Sequence, residues 1–118
     1  MWLGNLIGRI LAYFLGTLTK TDAIIRGNRV KIYAVKRLIP KWAVGQTWGN
    51  IILMRGEYAT NTKILTHEAI HVEQWEKYSI FFIPLYILFT IEAATRYGIK
   101  QGYRENRFEK EARLLSGH

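Results

Sequence analysis

The chain contains no cysteine. Neither a disulfide framework nor a thiolate metal site can be built from it, and the absence fits a cytoplasmic protein. There are two prolines, three histidines and a single aspartate, Asp22. Any metal site must therefore draw on imidazoles and carboxylates, nearly all of them glutamates. Acid is scarce as well: 17 lysines and arginines face 9 carboxylates, a net charge of +8 on 118 residues. Such an excess points to an anionic neighbour, either phospholipid headgroups or nucleic acid. No nucleic-acid recognition motif accompanies it, so nucleic acid is not the expected partner. Much of the base is concentrated early, at Lys20, Arg26, Arg29, Lys31, Lys36, Arg37 and Lys41.

Long apolar runs are missing too. Residues 2–18 place Leu3, Leu6, Ile7, Ile10, Leu11 and Phe14 at helical spacing. Gly4, Gly8, Ala12 and Gly16 form a second ridge that would let another helix, or a second copy in a homodimer, approach closely. Arg9 in mid-segment and the lack of a basic start make this a poor secretory signal. The uncharged stretch 78–91 has 14 residues, short of the roughly 20 needed to span a bilayer. Peripheral attachment to an anionic membrane surface, through residues 1–18, 78–91 and the basic region, is the expectation for these segments. No repeat and no linker divides the chain, so 1–118 is read as a single domain.

Residues 29–39 and 47–54 read as strands, the polar stretch between residues 19 and 23 as a break, and Pro40 as an interruption. Thr60, Asn61 and Thr62 are candidate caps for a helix over about 62–78. Pro84 either opens or kinks the next helix, Gly98 stops it, and a last helix is expected over about 104–115.

What is present in place of cysteine is "LTHEAIHVEQW", residues 65–75. His67 and His71 stand four apart, one above the other on a helix, with Glu68 beside them. In this H-E-x-x-H arrangement two imidazoles hold zinc and the glutamate takes a proton from a water. A third donor is needed. His118 is at a chain end, and the glutamates of "YRENRFEKEA" (Glu105, Glu109 and Glu111) are the candidates. Glu109 shares a face with the small Ala112 and is favoured, with Glu111 the alternative. Gln74 and Asn106 either orient ligands or are solvated helix residues.

Together these stretches resemble the zincin metallopeptidases, specifically the gluzincin branch, whose third zinc ligand is a glutamate on a later helix. The likeness covers roughly residues 47–115 and is nearest to short bacterial proteins with H-E-x-x-H followed by N-x-F-E-x-E-A. In membrane-embedded gluzincins the ligand lies in E-x-x-A-D; here Arg113 stands in the aspartate's place. The resemblance implies an α+β, reduced zincin-like fold, a small antiparallel sheet packed on three to four helices. It implies Zn2+ as cofactor, with ligands His67, His71 and Glu109. It also implies a peptide or protein substrate added to an edge strand within 47–54, and hydrolysis with Glu68 as base. Tyr103 is the candidate oxyanion donor, with Tyr97 the other. The alternative function is a non-proteolytic zinc-binding interaction or regulatory domain at a membrane surface.

Overall fold

A computed structural model of the chain describes residues 2–39 and 41–117, the side chain of Ile80 excepted; Pro40 and His118, named above, lie outside the described residues. The fold is α+β. Helix α1 (Trp2–Leu15) leads into strands β1 (Thr17–Ile25), β2 (Asn28–Val35), β3 (Gly45–Trp48) and β4 (Ile51–Arg55). Four helices follow: α2 (Thr62–Tyr78), α3 (Phe82–Tyr97), α4 (Ile99–Glu105) and α5 (Arg107–Ser116).

The sheet has the order β1-β2-β4-β3 and is mixed rather than wholly antiparallel, because β2 and β4 run parallel. Alternation assigns each face. Tyr33, Val35, Ile51 and Leu53 pack with Ala12 and Leu15 of α1. Val30, Ile32, Ile52 and Met54 turn the other way, toward Ile64 and Val72 of α2. The sheet is thus the middle of three layers, and β4, buried on both faces, is apolar along four consecutive residues, as such strands are.

Three strand expectations change. Thr17–Ile25, expected as a polar break at its centre, is a strand, paired with β2 across a two-residue turn in which Arg26 and Gly27 both have positive φ. It is exposed along nearly its whole length, so no apolar alternation betrays it. The run 47–54 is not one strand but a hairpin, turning at Gly49 with φ 66° and Asn50. Strand β2 ends at Val35, short of residue 39.

Gly4, Gly8 and Ala12 are buried within the fold. A Cβ on Gly4 would lie 2.6 Å from Gly49 N, and one on Gly8 3.0 Å from Trp48 Cβ. Gly4, Gly8 and Ala12 are therefore packed against the chain's own β3–β4 hairpin and Trp75, while Gly16, the last of the ridge, lies beyond the helix at φ 79°. The opposite face of α1, with Trp2, Leu6, Ile10, Tyr13 and Phe14, is exposed. Among the described residues no single helix is long and apolar enough to cross a bilayer.

Helix α2 has the expected bounds. Asn61 caps it, its Oδ1 accepting from Ile64 N at 3.1 Å. Pro84 falls in the first turn of α3, and Gly98, at φ 88°, ends it. The last expected helix is instead two, broken at Asn106. Helix α4 rests on α3 through Gly102, where a Cβ would come within 2.7 Å of the Ala94 backbone. Gly102→Ala sets helix propensity, a gain of about 1 kcal/mol, against overlap with backbone that cannot give way, a cost of about 1–3 kcal/mol. We expect overlap to win. Thermal melts should show a lower Tm for Gly102→Ala than for the exposed control Gln101→Ala.

Candidate metal centre

The apolar spacing of α2 buries His67, Glu68 and His71 together, one turn apart, beneath α5 and beside β3. Asn106 brings Glu109 to them. Its Oδ1 accepts from Glu109 N at 2.8 Å, and its Nδ2 donates to Thr90 Oγ1 at 2.9 Å, tying the start of α5 to α3. Glu109 sits in the first turn of α5, where the helix dipole favours a carboxylate. Glu109 Oε1 lies 2.9 Å from His67 Nε2 and 3.0 Å from His71 Nε2. Its other oxygen, Oε2, accepts a hydrogen bond from the Tyr86 hydroxyl.

His67, His71 and Glu109 form a buried group that could hold a metal ion, their donor atoms all within 4.8 Å of one another. The donor set fits that role. A tetrahedral metal with bonds of about 2.0–2.1 Å separates its ligands by about 3.3 Å, so the observed 2.9–3.0 Å contacts need open only a few tenths of an ångström. Tyr86 occupies Glu109 Oε2, which leaves Oε1 as the donor presented to the cluster.

The orientation of His71 is fixed by a relay the sequence only half disclosed. Gln74 Nε2 donates to Phe108 O at 3.1 Å and to Glu111 Oε1 at 2.8 Å, both acceptors only. Its Oε1 must then face His71 Nδ1, 2.7 Å away, which donates to it. That leaves His71 Nε2 aimed at Glu109 Oε1 and the centre of the cluster. Gln74 and Asn106 are accordingly buried, hydrogen-bonded orienting residues and not solvated ones.

Burial is the largest influence on His71 and opposes its charged form, but Glu109, Glu68 and the Gln74 hydrogen bond together outweigh it and raise its pKa to about 9. For Glu109 burial is again opposed, here by the two imidazoles, which hold its carboxyl well below the ordinary range. Glu68 is shifted upward, chiefly by burial. Thr47 Oγ1, on β3, donates to Glu68 Oε1 at 2.8 Å. Gly45 leaves room for the same carboxylate: a Cβ there would lie 3.0 Å from Glu68 Oε2.

Glu68, His71 and Glu109 face one cavity of about 240 Å³, otherwise walled largely by Trp48, Trp75, Phe82, Ile83 and Tyr86. Tyr103 also lines it, its hydroxyl held neutral by burial and by the two nearby carboxylates. Tyr97 does not; it is exposed at the end of α3. Glu105 is elsewhere, paired with Arg113 at 3.3 Å. Glu111 reaches the cluster only through Gln74. Tyr86 was not anticipated. It sits in an apolar aromatic run whose spacing signals packing, and only the fold brings it to Glu109, 23 residues on.

Comparison with protein-family models, with curated proteins and with solved structures finds no match. The geometry itself is what bears on function.

One prediction follows from the relay. Gln74→Ala removes the partner of His71 Nδ1 and should weaken metal affinity about 10–100-fold. Glu111→Gln, which keeps an acceptor beside Gln74, should change it less than Gln74→Ala does. Competition titrations with a chromophoric zinc chelator give both values. Equal affinities for Gln74→Ala and the unaltered chain would remove the relay's role.

Proposed function

We propose that the chain is a small zinc-dependent metallopeptidase of the gluzincin kind, with His67, His71 and Glu109 as zinc ligands and Glu68 as general base. The observation carrying this reading is that Glu68 faces the same cavity as His71 and Glu109, instead of being turned out to solvent. Zinc suits two imidazoles and a carboxylate better than the oxygen-preferring cations do. A closed structural site would have no use for a buried, proton-accepting carboxylate beside its ligands.

When bound, the ion supplies acidification of a water and polarisation of the scissile carbonyl. Glu68 accepts the water's proton, helped by the burial that raises its basicity, and returns it to the leaving nitrogen. Thr47 holds the Glu68 carboxylate in line for that transfer. Tyr103, neutral and in the cavity wall, donates to the developing oxyanion. The aromatic walls keep bulk water away, which strengthens each of these interactions. Strand β3 is the sheet edge beside the cavity, and a substrate strand could pair with it. The Thr47 carbonyl there already accepts from Trp75 Nε1 at 3.1 Å, so the cavity carries more of the positioning than the edge does.

A second reading, a zinc-binding interaction domain without hydrolysis, is favoured by the cavity's size: about 240 Å³ is below the roughly 300–1,000 Å³ usual for ligand pockets. Zinc-loaded protein incubated with a mixed peptide library and followed by mass spectrometry separates the two. Cleavage abolished by a chelator and restored by zinc supports the peptidase; stoichiometric zinc with no cleavage supports the interaction domain.

A further inference from the structure

Two of the residues that line the cavity, Ile39 and Ile87, are also 70% and 54% exposed, so they mark its mouth. The surface around them is apolar well beyond what the cavity needs. On α3, Leu88 and Ile91 continue outward from Ile87 at helical spacing, 57% and 56% exposed. Three residues after Ile39, Trp42 is partly exposed as well.

Basic groups interleave with this apolar rim. Lys100, from α4, lies over the Trp42 ring at 5.6 Å from its centroid. Lys41 is exposed beside Trp42. Arg37 donates to Phe14 O at 3.4 Å, joining the rim's loop to the end of α1, where Tyr13 and Phe14 are exposed. The only carboxylate within α3, Glu92, is neutralised by Arg107 at 3.0 and 3.1 Å. The rim therefore combines aliphatic side chains, aromatic rings and basic groups that, among the described residues, have no carboxylate partner.

We propose that this rim docks on the surface of an anionic bilayer, with the cavity mouth turned toward the lipid. Charge selects this occupant over a second copy of the chain: two identical rims would bring Arg37, Lys41 and Lys100 against their own counterparts, whereas anionic headgroups neutralise them. Aliphatic residues enter the headgroup boundary while tryptophan and lysine sit at its level. On the peptidase reading, on which this consequence alone rests, the substrate is a peptide segment held at that bilayer surface.

The test is co-sedimentation of the full chain with phosphatidylglycerol-containing or pure phosphatidylcholine vesicles, at low and high salt, with no hydrolysis measured. We expect binding to the anionic vesicles only, weakened by salt. Leu88→Asp/Ile91→Asp should lower the partition about tenfold or more. Lys41→Glu/Lys100→Glu should lower it at least about fivefold for each charge removed. Ile24→Asp, on exposed strand β1, should leave it within about twofold. Should the α3 variant fail to fold by circular dichroism, Ile39→Asp in the loop replaces it. Protein left in every supernatant, equal binding to neutral vesicles, or an equal loss with Ile24→Asp would overturn the proposal. So would a concentration-dependent dimer in sedimentation velocity without vesicle binding. Because His71→Ala should bind vesicles like the unaltered chain, failure here is separate from failure of the metal site.

Discussion

On the peptidase reading, Glu68→Gln is expected to abolish hydrolysis while leaving metal binding intact. The substitution removes the acceptor for the water's proton but keeps size and a hydrogen-bonding oxygen for Thr47, whose hydroxyl donates to Glu68 Oε1 at 2.8 Å. General-base loss costs about 10²–10⁴-fold in rate. The ligand cluster does not include Glu68, and its donors are held from elsewhere, by Gln74, Tyr86 and Asn106. Burying a neutral amide in place of a carboxyl already shifted upward should not lower the Tm, since the charged form is what burial disfavours. Steady-state cleavage of the best library peptide, with zinc content measured on the same sample, decides it. Retained turnover in Glu68→Gln would exclude Glu68 as the base, and turnover lost together with zinc would make its role structural.

The second large effect concerns Glu109. Its carboxylate is the only acidic donor in the cluster, and both imidazoles meet the same oxygen. Glu109→Gln exchanges an anion for a weak neutral donor and leaves two buried imidazoles without the charge that holds them. We expect zinc affinity to fall by far more than the 10–100-fold assigned to an orienting residue. In the unaltered chain a thousandfold excess of zinc over its Kd adds about 4 kcal/mol to stability, and most of that gain should vanish in the variant. Melting curves with and without zinc show it as the lost Tm increment. An unchanged increment would place the third donor elsewhere.

Much of the centre was legible because it is local. The four-residue spacing of His67 and His71 needs nothing but a helix, and Asn61 supplied the cap that fixes where that helix begins. Glu109 could be favoured because Ala112 beside it is small, and in the fold Ala112 is fully buried. What stayed hidden is non-local. Tyr86 reaches Glu109 only after α3 packs against α5, and Glu111 acts on His71 through Gln74, a connection 37 residues long in sequence. Asn106 was visible as a polar residue near the ligand, but its place as a helix cap was concealed by a helical pattern that runs through the break. The sheet departs from the sequence pattern where exposure hides periodicity, in β1, and where an apolar run conceals a turn, at Gly49 and Asn50. The glycine ridge of α1 has the same spacing whether it meets a sheet or a second chain, so only the fold decides between them.

The central claim is that His67, His71 and Glu109 hold one metal ion, and elemental analysis of the intact chain tests it most directly. Protein purified without chelator should carry about one zinc per chain by inductively coupled plasma mass spectrometry. His71→Ala, confirmed folded by circular dichroism, should carry none. Full zinc occupancy in His71→Ala, or a zinc-free unaltered chain that takes up none on addition of the ion, would contradict the account.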